Sequence, residues 1–278
     1  MIPSISVVIP CFNHGHFIQE AIDSVLAVNG IDYEIIVVND GSTDAATIRK
    51  LEELEAAGIR VLSHANSGLG FTRNRGIEAA RGKYILPLDA DNKINPEYIY
   101  KALPLLESHA CDIVYAKPRF FGNVATDRLF FTRPFRITEL AVVNYIDACA
   151  VYRKKVWEQL GGYDARMPYP GQEDWEFWIH AYAQGFAFTF LDEELFYYRV
   201  EKDSMIATTV QADKSSLNQE YIFRKHAPLF RKLYLELYYG SRLREHDMKN
   251  PVRTFIKYMY YQLTGRGKTP PSLPLNEH

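Results

Sequence analysis

The stretch Tyr84-Ile85-Leu86-Pro87-Leu88-Asp89-Ala90-Asp91 joins a short apolar run to two carboxylates. Such a run reads as a buried strand over Tyr84 to Leu88. Side chains alternate along a strand, so Asp89 and Asp91 leave its end on one side. Paired carboxylates there suit Mg²⁺ or Mn²⁺, hard cations that take oxygen ligands and share them with phosphate. A solvated acidic turn has the same sequence, so the reading depends on what precedes the strand.

What precedes it alternates. Ile5 to Ile9, Glu34 to Val38 and Ile59 to Ser63 are strand-like. Between them, His16 to Leu26 places Ile18, Ala21, Ile22 and Val25 at helical spacing, and Asp44 to Ala57 does so with Ile48, Leu51 and Leu54. Gly70 to Ala80 is a third helix. This alternation predicts an α/β fold with a mostly parallel central sheet and helices on both faces. Ligands of such sheets sit beyond the carboxyl ends of the strands. That rule selects Pro10 to Asn13, Asp40 to Asp44 and Asp89 to Asn92. Downstream, Asn95 and Pro96 can open a helix with Ile99, Ala102, Leu103 and Leu106 on one face, kinked at Pro104. Asp112 to Lys117, Asp147 to Tyr152 and Phe186 to Leu191 read as strands. Arg153 to Leu160 and Glu173 to Gln184 read as helices, each followed by glycine. Residues 118–144 have little periodicity and are expected to form a mobile segment over the site. Beyond about residue 213 the chain turns helical.

Of the 278 residues, 47% are hydrophobic and 24% charged, which excludes disorder and fibrous classes. A net charge of -2 gives no global basic field, so no nucleic-acid partner is expected. The three cysteines are far apart and form no metal-type cluster, which fits a reducing compartment. The N-terminus lacks the features of a signal peptide, and no apolar run reaches the roughly 18 residues of a membrane span. A cytoplasmic chain is expected. Lys249, Arg253 and Lys257 with Phe255, Ile256, Met259, Tyr260 and Leu263 make a basic amphipathic segment. It can lie on the inner face of an anionic membrane through residues 249–268, or pack on the domain with a solvated basic edge.

Asp40 ends the second strand, where it can either shape the turn with Gly41 or accept hydrogen bonds from a ligand; Asp44 is read as a helix cap. Gly68-Leu69-Gly70-Phe71-Thr72-Arg73 is not a dinucleotide fingerprint, because Arg73 replaces the third glycine and the run follows the wrong strand. Gly76 to Lys83 is not a phosphate loop, because its spacing is wrong and Tyr84 stands where Ser or Thr is needed. Arg73-Asn74, near a helix start, is a candidate neighbour for an anion. At about 100° per residue, Asp174 borders the apolar side marked by Trp175, Trp178, Ile179 and Tyr182 and is expected to face the domain, while Glu173 points nearly opposite, away or toward a neighbouring loop. Negative charge is stabilised at a helix N-terminus, so Asp174 is expected to stay ionised and can act as a general base, or simply cap the helix. Trp157, Trp175, Trp178, Tyr163 and Tyr169 can stack on sugar rings, with core packing the preferred reading. The eight His show no metal-ligand spacing.

Taken in order, Ser6-Val7-Val8-Ile9-Pro10-Cys11-Phe12-Asn13, Glu34 through Asp44, Arg73-Asn74-x-Gly76, Asp89-Ala90-Asp91, Gly161-Gly162-Tyr163-Asp164 and Glu173-Asp174-Trp175-Glu176 resemble family 2 of the nucleotide-sugar glycosyltransferases. The resemblance reaches about residue 200. It implies a GT-A fold over residues 1–212, with a nucleotide-binding half to about 92 and an acceptor-binding half from about 93. No motif of the family carries over beyond residue 213, where the residues themselves read as a helical extension with a basic tail over 213–278. It implies that Pro10, Phe12, Asn13, Arg73, Asp89 and Ala90 lie at the nucleotide, and that Asp40 bonds its base, usually uracil. Asp91 would bind Mn²⁺ or Mg²⁺, and Asp174 would be the base of an inverting transfer from a UDP-sugar to a saccharide, lipid-linked or protein acceptor. Two departures stand out. Asn92 replaces a third carboxylate, and Glu201 stands near a place where relatives often carry His. Glu173, Arg199, Lys202 and Ser204 are then candidates for diphosphate or donor contacts. Two other readings are a nucleotidyltransferase making nucleotide sugars, disfavoured by the absence of Lys and Arg from Pro10 to His16, and a catalytically inactive sugar-binding scaffold.

Overall fold

A computed structural model of the chain describes residues 3–123, 130–201 and 212–264. Eight strands form one sheet: β1 (Ile5–Cys11), β2 (Tyr33–Asp40), β3 (Arg60–His64), β4 (Tyr84–Pro87), β5 (Lys93–Ile94), β6 (Ile113–Gly122), β7 (Val151–Arg153) and β8 (Phe188–Val200). The order is β3-β2-β1-β4-β7-β6-β8-β5. The first four strands run parallel, with Val7 level with Ile35 on one side and Leu86 on the other. β7 is antiparallel to both β4 and β6, β6 and β8 are parallel, and β5 is antiparallel to β8. The sheet is therefore mixed beyond β4.

The helices are α1 (Ile18–Leu26), α2 (Ala45–Ala56), α3 (Leu69–Ala79), α4 (Pro96–Glu107), α5 (Ile137–Leu140), α6 (Lys154–Leu160), α7 (Glu173–Ala183), α8 (Ala212–Lys225), α9 (Ala227–Lys249) and α10 (Pro251–Thr264). Their ends follow local chemistry. Asp44 caps α2 by accepting from Thr47 N–H, and Asn95 caps α4 by accepting from Glu97 N–H. Pro104, expected to kink α4, lies in its last turns without dividing it. Gly76 lets α3 lie close on the sheet: a Cβ there would come within 2.3 Å of Val8 Cγ1. Gly41 has φ +68, and a Cβ there would sit 2.5 Å from Asn66 N, so the turn after β2 admits no side chain.

Three expectations need correction. β6 continues to Gly122, with a register shift around Lys117 and Pro118. Proline removes a ladder donor, so Pro118 reads as an end where a bulge in fact carries the strand on. β8 runs to Val200 rather than Leu191: exposed Asp192 and Glu193 interrupt its apolar pattern and bulge out of register, and pairing with β6 resumes at Glu194. The segment expected to be mobile over 118–144 holds the end of β6 and the short α5, while residues 124–129 lie outside the described set.

The chain divides into two compact units, Met1–Ile222 and Phe223–His278. The division falls ten residues beyond the expected 212, because the first turns of α8 bond to the first unit. Asn218 exchanges hydrogen bonds with the backbone of Tyr169, Gln172 donates to Ser215 Oγ, and Tyr221 donates to Asp164. No helix among the described residues is long and apolar enough to cross a membrane.

Candidate active site

The tips of β1, β2 and β4 open on a cleft of about 730 Å³, closed opposite by the loop and first turn of α7. Pro10, Phe12, Asp40, Arg73, Asp89, Ala90, Asp91, Glu173, Asp174 and Arg199 all line it. Asn13 does not. Its side chain accepts from Thr43 and Asp44 N–H and donates to Thr43 Oγ1, so it ties the β1 loop to the β2 loop beneath the cleft. Its φ of +56, which Asn tolerates better than most residues, makes that reach possible. Lys202 and Ser204 lie outside the described residues.

Asp40 is buried and accepts from Ser67 N–H at 2.7 Å and Gly68 N–H at 3.1 Å. It therefore holds the loop that leads into α3. A carboxylate has about four acceptor positions, so the same group can still receive a bond from the cleft.

Arg73 is 2% exposed. Its Nη2 donates to Asp89 Oδ1 and its Nη1 to Glu173 Oε1, each at 2.8 Å. Glu173 also accepts from Gly171 N–H. Of the two orientations expected for Glu173, away from the domain or toward a neighbouring loop, the first does not hold: it bonds the Gly171 loop and turns in to Arg73. α7 buries seven of its eleven residues against several neighbours, so a one-sided helical wheel misjudges its first turn. Asn74 accepts from Trp157 Nε1 and Tyr163 N–H and pins the Gly161-Gly162 turn. Trp175 and Trp178 donate to the carbonyls of Leu140 and Ile146 within the core. None of the five aromatic candidates for sugar stacking lines the cleft.

Arg199 is held between the rings of Phe17 and Phe121. Its Nη2 donates to Glu20, its Nε to the Asp91 carbonyl, and its backbone N–H to Asn92 Oδ1. Asn92 is buried and takes part in fixing the turn, which accounts for an amide where a third carboxylate was anticipated.

The charges do not balance. Among the described residues, seven carboxylates line the cleft (Asp40, Asp89, Asp91, Asp147, Glu173, Asp174 and Glu201) against two guanidiniums, both already paired. Burial, with Asp89 alongside, pushes the Asp91 carboxyl up to about 7. Burial and Asp89 push Asp147 up to about 8. Burial and Glu173 raise Asp174 to about 7, against the opposing effects of Arg73, Trp175 N–H and Asn144 Nδ2. Desolvation thus outweighs the helix terminus that was expected to keep Asp174 fully ionised. Sequence reasoning missed Asp147 and Asn144. Asp147 was read as the start of a strand; an acid heading the apolar run Ala148 to Tyr152 was its one signal.

Residues 6–161 match the model of glycosyl transferase family 2. The chain belongs to that family. This family 2 chain is 31% identical over 223 residues to the uncharacterized glycosyltransferase EpsJ of Bacillus subtilis (strain 168), which covers 74% of this chain. The chain spans 63% of the length of EpsJ. It is 27% identical over 220 residues to the putative teichuronic acid biosynthesis glycosyltransferase TuaG of the same organism, covering 77% of this chain and 86% of TuaG. Among solved structures, S. aureus TarS 1-349 in complex with UDP-GlcNAc superposes with a TM-score of 0.61 at 20% identity, covering 77% of this chain and 64% of that one. The fold is GT-A.

Proposed function

We propose that the chain transfers a sugar from a nucleotide diphosphate sugar, a UDP-sugar in the first instance, to an acceptor hydroxyl with inversion at the anomeric carbon. The observation that carries this reading is the cleft itself, where Asp89 and Asp91 at a strand tip and Asp174 at a helix start line one cavity. The solved TarS complex with UDP-GlcNAc supports the donor class by analogy, and TuaG, named for teichuronic acid biosynthesis, supports a polysaccharide acceptor.

The donor set fits a divalent cation shared with phosphate. No group of three His, Cys, Asp or Glu among the described residues could hold a metal alone. Mg²⁺ commonly binds through one or two carboxylates plus substrate phosphates, and Asp91 with Asp89 supplies that number. Burial and the neighbouring Asp89 raise the Asp91 carboxyl, and a cation held there would favour its ionised form. When bound there, the cation would offset the charge gained by the departing diphosphate.

The chain's own groups do the remaining work. Asp40 lies where it can accept from the base, and Phe12 and Pro10 offer apolar wall to the nucleoside. Asp174 takes the proton of the acceptor hydroxyl as its oxygen attacks the anomeric carbon. The bond from that carbon to the diphosphate oxygen breaks on the opposite side, and the nucleotide leaves. A base raised to about 7 matches this task, because efficiency peaks when the catalytic acidity lies near working pH.

The test is product analysis with a panel of UDP-sugars, Mn²⁺ or Mg²⁺, and oligosaccharide acceptors. Release of UDP that stops on addition of EDTA and resumes with excess Mn²⁺ is expected. Release of pyrophosphate from a nucleoside triphosphate and sugar phosphate would instead establish a nucleotidyltransferase.

A further inference from the structure

Charge is divided unevenly between the two units. Residues 223–278 carry eleven Lys and Arg against four Asp and Glu, a formal +7, in a chain whose total is -2. Residues 1–222 therefore carry -9. Within the second unit the acids Glu236, Glu245 and Asp247 all lie on α9, and no further acid follows until Glu277. Glu245 pairs with Arg242 and Lys249, so α9 neutralises part of its own charge. α10 has no acid at all.

α10 also carries an apolar face. Val252, Phe255, Ile256 and Met259 recur at three- and four-residue spacing, with Tyr260 at their border. All five are exposed, Val252, Phe255 and Ile256 by more than 60% each. At about 100° per residue, Arg253 and Lys257 fall together along one edge of that face. In sequence the basic character continues through Arg266 and Lys268.

We propose that α10 docks the chain on an anionic lipid bilayer, lying in the interface with its apolar face down and Arg253 and Lys257 at the headgroups. Charge complementarity selects this occupant. A second copy offering the same face would bring two strongly positive units together, which repel. A nucleic acid would match the charge but leave the row of Val252, Phe255, Ile256 and Met259 without apolar contact. An interfacial helix answers both features, since binding combines buried apolar area with attraction to acidic headgroups. The arrangement would hold the cleft-bearing unit by a tether at the surface where lipid-linked acceptors reside. That consequence rests on the proposed function; the docking itself does not.

The test is flotation of the full-length chain with phosphatidylcholine vesicles, with and without about one-third phosphatidylglycerol, an anionic lipid fraction that polybasic segments sense. Binding is expected to anionic vesicles and to fall steeply with salt. Two double variants separate the contributions, Arg253→Glu with Lys257→Glu and Phe255→Ser with Ile256→Ser. Each is expected to lower the bound fraction about tenfold or more. Retained UDP binding and an unchanged circular dichroism spectrum establish that the variants are folded. The proposal fails if the chain ignores anionic vesicles, if it binds neutral vesicles equally, or if either double variant binds as the parent does. It also fails if sedimentation equilibrium finds a dimer that the Phe255 and Ile256 changes dissolve, or if single-stranded RNA binds as tightly as anionic lipid and independently of those changes. Asp174→Asn should float like the parent, so loss of transfer and loss of docking are distinguishable.

Discussion

The two walls of the cleft hold their acids differently. On the strand-tip wall, Asp40 is engaged by backbone N–H groups and the turn through Asn92 is fastened by Arg199. On the facing wall, Asp147 and Asp174 are half-buried and raised well above ordinary carboxylates. Asp91 at the strand tip is raised too, but a cation held there would offset that rise. Fixed, hydrogen-bonded acids suit recognition of a ligand that stays put. A half-buried acid poised near neutrality suits a proton that must move. Arg73 joins the two, holding Asp89 of one wall and Glu173 of the other.

The largest expected effect breaks the facing wall alone. Asp174→Asn keeps the shape and removes the proton acceptor, so kcat should fall about 10²–10⁴-fold while UDP affinity stays within about twofold. Steady-state kinetics beside calorimetric titration with UDP reads both. An equal loss of affinity would make Asp174 part of the nucleotide site and erase the distinction between the walls.

Removing the link comes next. Arg73→Met leaves Asp89 and the buried Glu173 facing each other uncompensated, and should lower unfolding stability by about 3–5 kcal/mol in urea denaturation. A change below about 1 kcal/mol would mean that the walls stand independently.

The pH profile sharpens the contrast at smaller scale. Asp174 must be deprotonated to accept a proton, and its acid form prevails below about pH 7. kcat/KM should therefore fall about tenfold per pH unit on the acid side and level off above neutrality. A profile flat down to pH 5 would contradict the raised Asp174 pKa.

The smallest effect concerns Asp147. Its folded pKa is raised from 3.8 to about 8, so the native state holds a proton that the unfolded chain has released between those values. Native stability attributable to it is present at acid pH and is lost as pH rises through 8. Asp147→Asn should accordingly raise Tm at pH 8.5 and leave it nearly unchanged at pH 4, by differential scanning calorimetry.

The same contrast explains how much was legible. β1, β2 and β4 carry continuous apolar runs buried on both faces, and each tip residue follows its strand closely in sequence. Asp40, Asp89 and Asp91 could therefore be placed at the cleft without coordinates. Arg73 and Glu173 are a hundred residues apart, and nothing local to either reveals the other. Asn13 lies off the lining of the cleft because its side chain turns into the 42–44 loop, a matter of a positive φ that sequence does not carry. Asn92 reads as a departure from a family pattern until Arg199, on β8, is seen donating to it. β5, only Lys93 and Ile94, is too short to show a period, and the bulge in the β6–β8 pairing hid the second part of β8.

The central claim is that one cleft holds a cation-bridged nucleotide against the strand tips and presents its sugar to Asp174. A crystal structure with UDP-GlcNAc and Mn²⁺ tests it most directly. The account predicts the diphosphate and metal at Asp89 and Asp91, the base beside Asp40, and the sugar between them and Asp174. A ligand seated elsewhere, or a sugar turned away from Asp174, would contradict it.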